Sequence, residues 1–128
     1  MNNRPVPDEV RRFILTSIPS VPYLEALLLL RSEPARAWDS FNVASRLYVG
    51  ENQARELLNA MQQSGIAACT ESGGFLFSPK PPELAEVIDA LAATYSHNLV
   101  GVTDLVHSRV EKRAQQFADA FRWKKDAS

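Results

Sequence analysis

The stretch from Glu51 to Pro79 constrains the fold more than any other part of this 128-residue chain. Its first half, ENQARELLNAMQQS, has apolar residues at the spacing of an amphipathic helix, and Ser64 and Gly65 end that pattern. Two short apolar runs, IAACT and FLFS, then flank ESGG, whose glycines accept the positive φ angles of a tight turn. The order predicts a helix packed on a core, followed directly by a two-stranded hairpin.

The helix predicted over residues 51–64 has two chemically different faces. Ala54, Leu57, Leu58 and Met61 fall at i, i+3, i+4 and i+7, so we expect them to pack on the core. The polar residues fall elsewhere on the helix, and we expect them to face outward: Asn52, Gln53, Arg55, Glu56, Asn59, Gln62 and Gln63.

Three further helices are predicted before this stretch. PDEVRRFILTSI starts with proline and acids, has a one-sided apolar face and ends before Pro19. VPYLEALLLLR should be the most buried helix, and Pro34 stops it. The third helix is capped by Asp39 or Ser40, and Trp38 packs against its start. Its apolar residues are Phe41, Ala44, Leu47 and Tyr48.

The segment from Pro81 to Ser108 predicts one long helix, because only Gly101 interrupts it. Such a helix would be about 40 Å long. Its seam residues step by four and three in alternation, and the small domain before it cannot cover them all, so we expect a second copy of the chain to do so. Asn98 lies in this seam, where we expect two helices to cross. The predicted dimer interface is Leu84, Ile88, Leu91, Tyr95, Asn98, Val102 and Leu105.

The last segment, EKRAQQFADAFRW, predicts a short terminal helix. Its apolar stripe should fold back across the long helix, and the stripe consists of Ala114, Phe117, Ala118 and Phe121.

Composition excludes several classes of function. A net charge of −1 provides no bulk attraction to nucleic acid or to an anionic membrane. The N-terminus lacks the apolar core of a secretory signal, and no apolar run approaches the roughly 20 residues that span a bilayer, so we expect a cytoplasmic protein.

Lone Cys69 cannot form an intramolecular disulfide or build a zinc site alone. Phosphate-binding loops, zinc-protease spacings and nucleophile elbows are absent, so we expect no enzyme activity, no cofactor and no metal.

The order helix, helix, helix, hairpin across Ser20 to Pro79 resembles the winged helix-turn-helix superfamily. The residues that carry the resemblance are ALLLL, FNVASRLYV, ARELLNAMQQSG and IAACTESGGFLFS. The long helix that follows is similar to the dimerisation helices of PadR-type and MarR-type regulators. The resemblance implies a mainly α (α+β) fold, with an N-terminal helical extension at 1–19, the winged helix-turn-helix domain at 20–79 and a helical dimerisation region at 80–128.

The resemblance also implies a function, namely a homodimeric transcriptional regulator that binds duplex DNA. The helix from Glu51 to Ser64 would lie in the major groove, and the turn at Glu71 to Gly74 would reach the backbone or the minor groove. Amide side chains can pair with adenine through two hydrogen bonds, and arginine can pair with guanine in the same way. The expected DNA contacts are Asn52, Gln53, Arg55 and Asn59.

The charge of this segment departs from the habit of the family. Four arginines between Ser20 and Pro79 stand against six acidic residues, so the segment has a net charge of −2. The predicted hairpin carries Glu71 where a cation is expected, and phosphate neutralisation is therefore weak. Winged helices also serve as protein-interaction modules, so the alternative function is a protein–protein interaction module without DNA binding.

Overall fold

The computed structural model describes residues 5–126, with the side chains of residues 5–109, 112, 114–116 and 118. Within this range the chain is mainly helical with one small antiparallel sheet, which confirms the mainly α fold class at that level. The elements are α1 (Asp8–Ser17), α2 (Val21–Ser32), α3 (Ser40–Leu47), α4 (Glu51–Gln63), β1 (Ala67–Cys69), β2 (Phe75–Phe77), α5 (Pro82–His97) and α6 (Leu99–Asp126).

The chain divides into two compact units. The core unit is Pro22–Ala93, and the terminal unit combines the residues up to Val21 with those from Thr94 onward. The boundary therefore falls inside α5, four residues before Asn98.

The terminal unit is built from α1 and α6, which contact each other. Val10, Ile14 and Ile18 recur every four residues and are fully buried, so they form one face of α1 and its end. Val102 and Val106 have the same spacing on α6 and are also fully buried. These valines and the α1 face give the unit a small apolar core.

The core unit is organised around α2, which is its most completely buried helix, as the sequence predicts. Five of its residues are buried, and Leu24, Leu27 and Leu30 have no exposed surface. Desolvation by burial raises the pKa of the Tyr23 phenol above its ordinary value of 10.0. Tyr23 therefore remains neutral at physiological pH, which suits an apolar core.

Helices α3 and α4 form the most closely packed helix pair of the core unit. The Asp39 carboxylate caps α3 by accepting a hydrogen bond of 2.7 Å from the backbone N–H of Asn42. After α4, β1 pairs antiparallel with β2, with Ala68 opposite Leu76. The turn between the strands uses Gly73 at a φ of 91°, a conformation that glycine adopts readily.

Trp38 belongs to the sheet, which the sequence did not indicate. Its backbone N–H donates to the carbonyl of Phe75 at 2.8 Å, and the N–H of Phe75 donates to the carbonyl of Trp38 at 2.7 Å. The residue predicted to pack against the start of α3 therefore pairs with β2 on the side opposite β1. A Cβ on Gly74 would lie 3.1 Å from the Cβ of Ala37, so a glycine permits this close approach.

The prediction of one long helix from Pro81 to Ser108 is wrong. Helix α5 ends at His97 and α6 starts at Leu99, so Asn98 separates them. The Asn98 side-chain oxygen accepts a hydrogen bond of 2.9 Å from the N–H of Gly101, so Asn98 is the N-cap of α6. Asparagine is favoured at helix starts because its side chain satisfies an N–H that the helix leaves unpaired.

The predicted short terminal helix is also wrong, because α6 continues without a break to Asp126. No glycine or proline follows Gly101 in the sequence, so nothing ends the helix near residue 110. Ala114 and Ala118 of the predicted stripe are exposed and do not fold back onto another helix. The side chains of Phe117 and Phe121 lie outside the described residues.

Asn98 and Gly101 should be energetically coupled, because a Cβ on Gly101 would lie 2.5 Å from the side-chain nitrogen of Asn98. Asn98→Ala should cost about 1 kcal/mol by removing the cap. Gly101→Ala should be near neutral in the wild type, since its gain of about 1 kcal/mol in helix propensity is offset by displacement of the cap. In the Asn98→Ala background the same change should stabilise by about 1 kcal/mol. Urea unfolding followed by far-UV circular dichroism measures all four chains, and equal effects of Gly101→Ala in both backgrounds would refute the coupling.

Candidate functional site

Helix α4 has one buried face and one exposed polar face. Ala54, Leu58 and Met61 have no exposed surface, and Leu57 retains only 9%. This apolar face holds the helix on the core unit, so the opposite face is presented outward. Each of the four residues predicted to contact DNA is exposed, namely Asn52, Gln53, Arg55 and Asn59.

Three of these four residues share one strip of the helix surface. A guanidinium nitrogen of Arg55 donates to the side-chain oxygen of Asn52 at 3.2 Å, and Asn59 lies one turn further along. Gln53 points about 100° away from Asn52, because successive residues on a helix are separated by that angle. The structure therefore brings Asn52, Arg55 and Asn59 together in what we call the polar strip, and places Gln53 on another flank.

The cation of the polar strip is held by an acid on its own helix. Arg55 lies 3.6 Å from a carboxylate oxygen of Glu51, and both side chains are more than half exposed. The same oxygen of Glu51 accepts a hydrogen bond of 3.3 Å from the Ser40 hydroxyl, so the starts of α3 and α4 lie side by side. An exposed pair of this kind is worth about 0–1 kcal/mol, so another anion can replace Glu51 at Arg55.

A second cationic cluster lies beside Trp38. The guanidinium carbon of Arg36 lies 4.0 Å from the centroid of the indole, and that of Arg46 lies 5.5 Å away, both within cation–π range. One carboxylate oxygen of Glu33 lies 3.5 Å from Arg36 and 3.8 Å from Arg46. Two arginines therefore share one acid over a buried aromatic ring. The sequence did not indicate this arrangement, because the two arginines are not neighbours in the chain.

The core unit as a whole is acidic. It contains five basic and nine acidic residues, so its formal charge is −4. Each of its four arginines lies within 4 Å of a carboxylate, since Arg31 pairs with Asp89 at 3.0 Å and the others are paired as described above. The weak phosphate attraction expected from the sequence therefore applies to the whole unit.

The hairpin turn presents an acid at its tip. Glu71 is exposed, and the turn is ordered from beneath by the hydroxyl of Thr70, which accepts a hydrogen bond of 3.0 Å from the N–H of Gly74. The same hydroxyl lies 3.1 Å from that of Ser72. A short, internally bonded turn holds the Glu71 backbone in a defined position.

The residues of the predicted dimer interface do not form one exposed surface. Ile88, Leu91 and Val102 have no exposed surface in the single chain, so they are part of its own core. The break at Asn98 also interrupts the seam on which the prediction depended. The other predicted interface residues are half-buried, namely Leu84, Tyr95, Asn98 and Leu105.

Two exposed aromatic residues lie at the two ends of α3, where the sequence indicated only that they are apolar. Phe41 is 65% exposed and Tyr48 is 94% exposed. Phe41 lies in the first turn of α3 and Tyr48 directly follows its last residue, whereas buried Val43 and half-buried Leu47 lie one turn apart on the same face of the helix. No signal in the sequence indicated this exposure, because apolar residues on both sides of a short helix leave open which side faces the core.

Tyr48 also has a strained backbone. It is the only non-glycine residue in the described range with a positive φ, at 57°, and it ends α3 in the left-handed conformation. The N–H of Val49 then donates to the carbonyl of Ala44 at 3.2 Å, which closes the helix in the way that usually employs glycine. Because the ring is almost fully exposed, packing within the chain does not offset this strain.

Comparisons with protein-family models, with curated proteins and with solved structures gave no match to this chain. Within residues 5–126, no single helix combines the length and apolarity needed to cross a membrane. Among the side chains that the structure describes, no three His, Cys, Asp or Glu residues lie together as a metal site. The described features that bear on function are therefore the polar strip and the hairpin.

Replacing Tyr48 with glycine should stabilise the chain by about 1 kcal/mol, because glycine adopts positive φ without steric cost. Tyr48→Ala is the matched control, since it removes the exposed ring but retains the Cβ that causes the strain. We expect the control to change the free energy of unfolding by only a few tenths of a kcal/mol. Thermal and urea unfolding measure both variants, and equal stabilisation by alanine and glycine would show that the ring itself is the destabilising group.

Proposed function

We propose that residues 20–79 form a winged helix-turn-helix domain and that the protein is a homodimeric DNA-binding transcriptional regulator. The observation that carries the proposal is the backbone pairing between Trp38 and Phe75. This pairing ties the hairpin to the residues just before α3, so the hairpin, α3 and α4 are held as one body. A helix with an exposed polar strip and a hairpin fixed relative to it is the arrangement with which winged helices bind duplex DNA.

The polar strip has the chemistry for reading bases in the major groove. The amides of Asn52 and Asn59 can each donate to and accept from adenine, and Arg55 can donate twice to guanine. Their Cα atoms are fixed by the buried face of α4, so the strip is presented on a rigid element. Glu51 keeps Arg55 extended along the strip until a base or phosphate replaces it.

Phosphate contacts would come mainly from outside the core unit. By sequence, the terminal unit contains nine basic and six acidic residues, a formal charge of +3. In a dimer, cations of this unit could supply the contacts that the acidic core unit lacks. Because few cations lie on the polar strip and the hairpin, we expect the salt dependence of duplex affinity to come mainly from cations of the terminal unit.

A second candidate function is a protein–protein interaction module. The observation that favours it is the charge of −4 on the core unit, together with the pairing of each of its arginines. Selection of binding sites from random duplex DNA distinguishes the two functions. Enrichment of a two-fold symmetric site supports the dimeric regulator, whereas no enrichment at low salt supports the interaction module.

Arg55→Ala should weaken binding to a selected site by about 1–3 kcal/mol, because it removes a base contact. Lys80→Ala is the matched control, since it removes the same charge from an exposed residue whose N–H bonds to Gly65 beyond the far end of α4. Fluorescence anisotropy with labelled duplex gives both affinities. Equal losses for the two variants would mean that Arg55 contributes only its charge, and the proposed base contact would then be wrong.

Glu71→Lys should tighten binding to any duplex and steepen its dependence on salt, because it replaces a repelled charge with one that releases counterions. Glu86→Lys, on the exposed side of α5, makes the same change of charge away from the hairpin. The comparison at several salt concentrations separates a local contact from a general change in net charge. If both variants bind equally, the hairpin lies away from the phosphate backbone.

A further inference from the structure

The two arginines beside Trp38 form a local site in which cations outnumber acids. We call it the arginine cluster, and it consists of Glu33, Arg36, Trp38 and Arg46. One oxygen of Glu33 lies 3.5 Å from Arg36 and 3.8 Å from Arg46, so two cations share one acid and the local formal charge is +1. The other two arginines of the core unit each have an acid of their own.

The backbone holds the members of the arginine cluster in place. The N–H of Arg36 donates to the carbonyl of Glu33 at 3.0 Å, which closes a turn that contains Pro34. Trp38 is tied to β2 by its two backbone hydrogen bonds, and Arg46 lies in the last turn of α3. A site whose backbone is already ordered loses less conformational entropy when it binds a ligand.

Most hydrogen-bond donors of the two guanidinium groups are not used within the part of the chain that the structure describes. Arg36 donates to Glu33 at 3.5 Å, the outer limit of a hydrogen bond, and Arg46 lies beyond that limit at 3.8 Å. The indole of Trp38 attracts both cations through its π-face, an interaction that uses no N–H donor. The cluster therefore holds two cations close together and leaves their donors available.

The identity of the aromatic ring supports this interpretation. The indole N–H of Trp38 is buried and has no hydrogen-bond partner among the described residues, which costs stability. A phenyl ring has no N–H and would avoid this cost. Tryptophan nevertheless offers the most favourable face for cations, so its presence here suits a ring that holds two like charges.

We propose that the arginine cluster binds a phosphate group, which takes the place of the Glu33 carboxylate between Arg36 and Arg46. Without that carboxylate the two cations match the charge of a phosphate dianion, whose several oxygens can accept from both guanidinium groups. Displacement of Glu33 costs little, because it is half exposed and its ion pairs are long. A small phosphorylated molecule and the backbone of duplex DNA present the same group. The inference goes beyond the proposed function and does not depend on DNA binding.

Titration of the full-length chain with inorganic phosphate tests the proposal. Trp38 and Trp123 are the two tryptophans, so in a Trp123→Phe chain the intrinsic fluorescence reports on Trp38 alone. At constant ionic strength, phosphate should change this fluorescence in a saturable way, whereas chloride should not. Isothermal titration calorimetry measures the same dissociation constant without relying on the ring, and circular dichroism establishes that each variant is folded.

Removal of either cation should weaken phosphate binding. Arg36→Gln and Arg46→Gln should each raise the dissociation constant about tenfold, which corresponds to the loss of one charge-assisted hydrogen bond. Arg31→Gln is the matched control, because the Arg31 side chain is 37% exposed, that of Arg36 is 36% exposed, and Arg31 pairs with Asp89 outside the cluster. The control should bind phosphate like the wild type. An equal loss in the control would mean that phosphate binds exposed arginines in general, which overturns the proposal.

Removal of the internal acid should have the opposite effect. Glu33→Gln should lower the dissociation constant for phosphate about fivefold, because it removes a competing exposed ion pair. Glu25→Gln removes the same charge from an exposed position two turns earlier on α2 and should have little effect. Equal tightening by both variants would show a general charge effect and would overturn the proposal. A chain that gives no saturable response either as wild type or as Glu33→Gln would overturn it as well.

Binding of labelled duplex to Arg46→Gln identifies the source of the phosphate group. If the variant lowers duplex affinity and its dependence on salt, the cluster binds the DNA backbone. If it loses inorganic phosphate but binds duplex like the wild type, the cluster serves a small phosphorylated molecule. A failed phosphate titration leaves the comparisons at Arg55 and Glu71 unaffected, so failure of this proposal is distinguishable from failure of the proposed function.

Discussion

The pairing of Trp38 with Phe75 is the interaction on which the arrangement of the candidate site depends. Two backbone hydrogen bonds fix the residue before the α3 cap against β2, and β1 fixes the other side of β2. The indole is fully buried, and two arginines lie over it. Without this pairing the hairpin would be held only by its connections to α4 and α5 and by its few buried residues, and a two-stranded hairpin alone is marginally stable. The pairing therefore contributes directly to the position of the turn relative to α4.

The shape of the core unit and its charges have different implications for function. The shape offers a rigid helix with three polar side chains in a strip and a hairpin beside it. The chemistry offers arginines that are already paired and an acid at the tip of the hairpin. Fold alone does not assign function, and the same scaffold can present its surface to a nucleic acid or to a protein. The two possibilities differ in whether Arg55 interacts more favourably with a base or phosphate than with Glu51.

At two helix ends the chain has a residue that is locally less stable than an alternative, for a different reason in each case. At Asn98 the chain ends one helix and caps the next, and Gly101 leaves room for the cap even though glycine weakens a helix interior. At Tyr48 the chain keeps a bulky residue where glycine would be less strained, and the ring is left exposed. The first arrangement satisfies backbone groups within the protein. The second also closes a helix, through the hydrogen bond from the Val49 N–H to the Ala44 carbonyl, but the Tyr48 ring adds no packing within the chain.

The sequence by itself determined the elements whose signals are local. These elements are the apolar period of α4, the burial of α2, the Asp39 cap and the turn with its glycines. Each can be predicted from the sequence because it depends on neighbours within one or two turns. It also gave the exposed positions of Asn52, Arg55 and Asn59 correctly. Only the tertiary structure decided the pairing of Trp38, the shared acid of Arg36 and Arg46, and the exposure of Phe41 and Tyr48. The break at Asn98 was misread because an asparagine in an apolar seam is compatible with both a crossing point and a cap. The pairing of Trp38, the shared acid and the exposed rings depend on which face each helix turns toward distant residues. A one-dimensional pattern leaves that choice open.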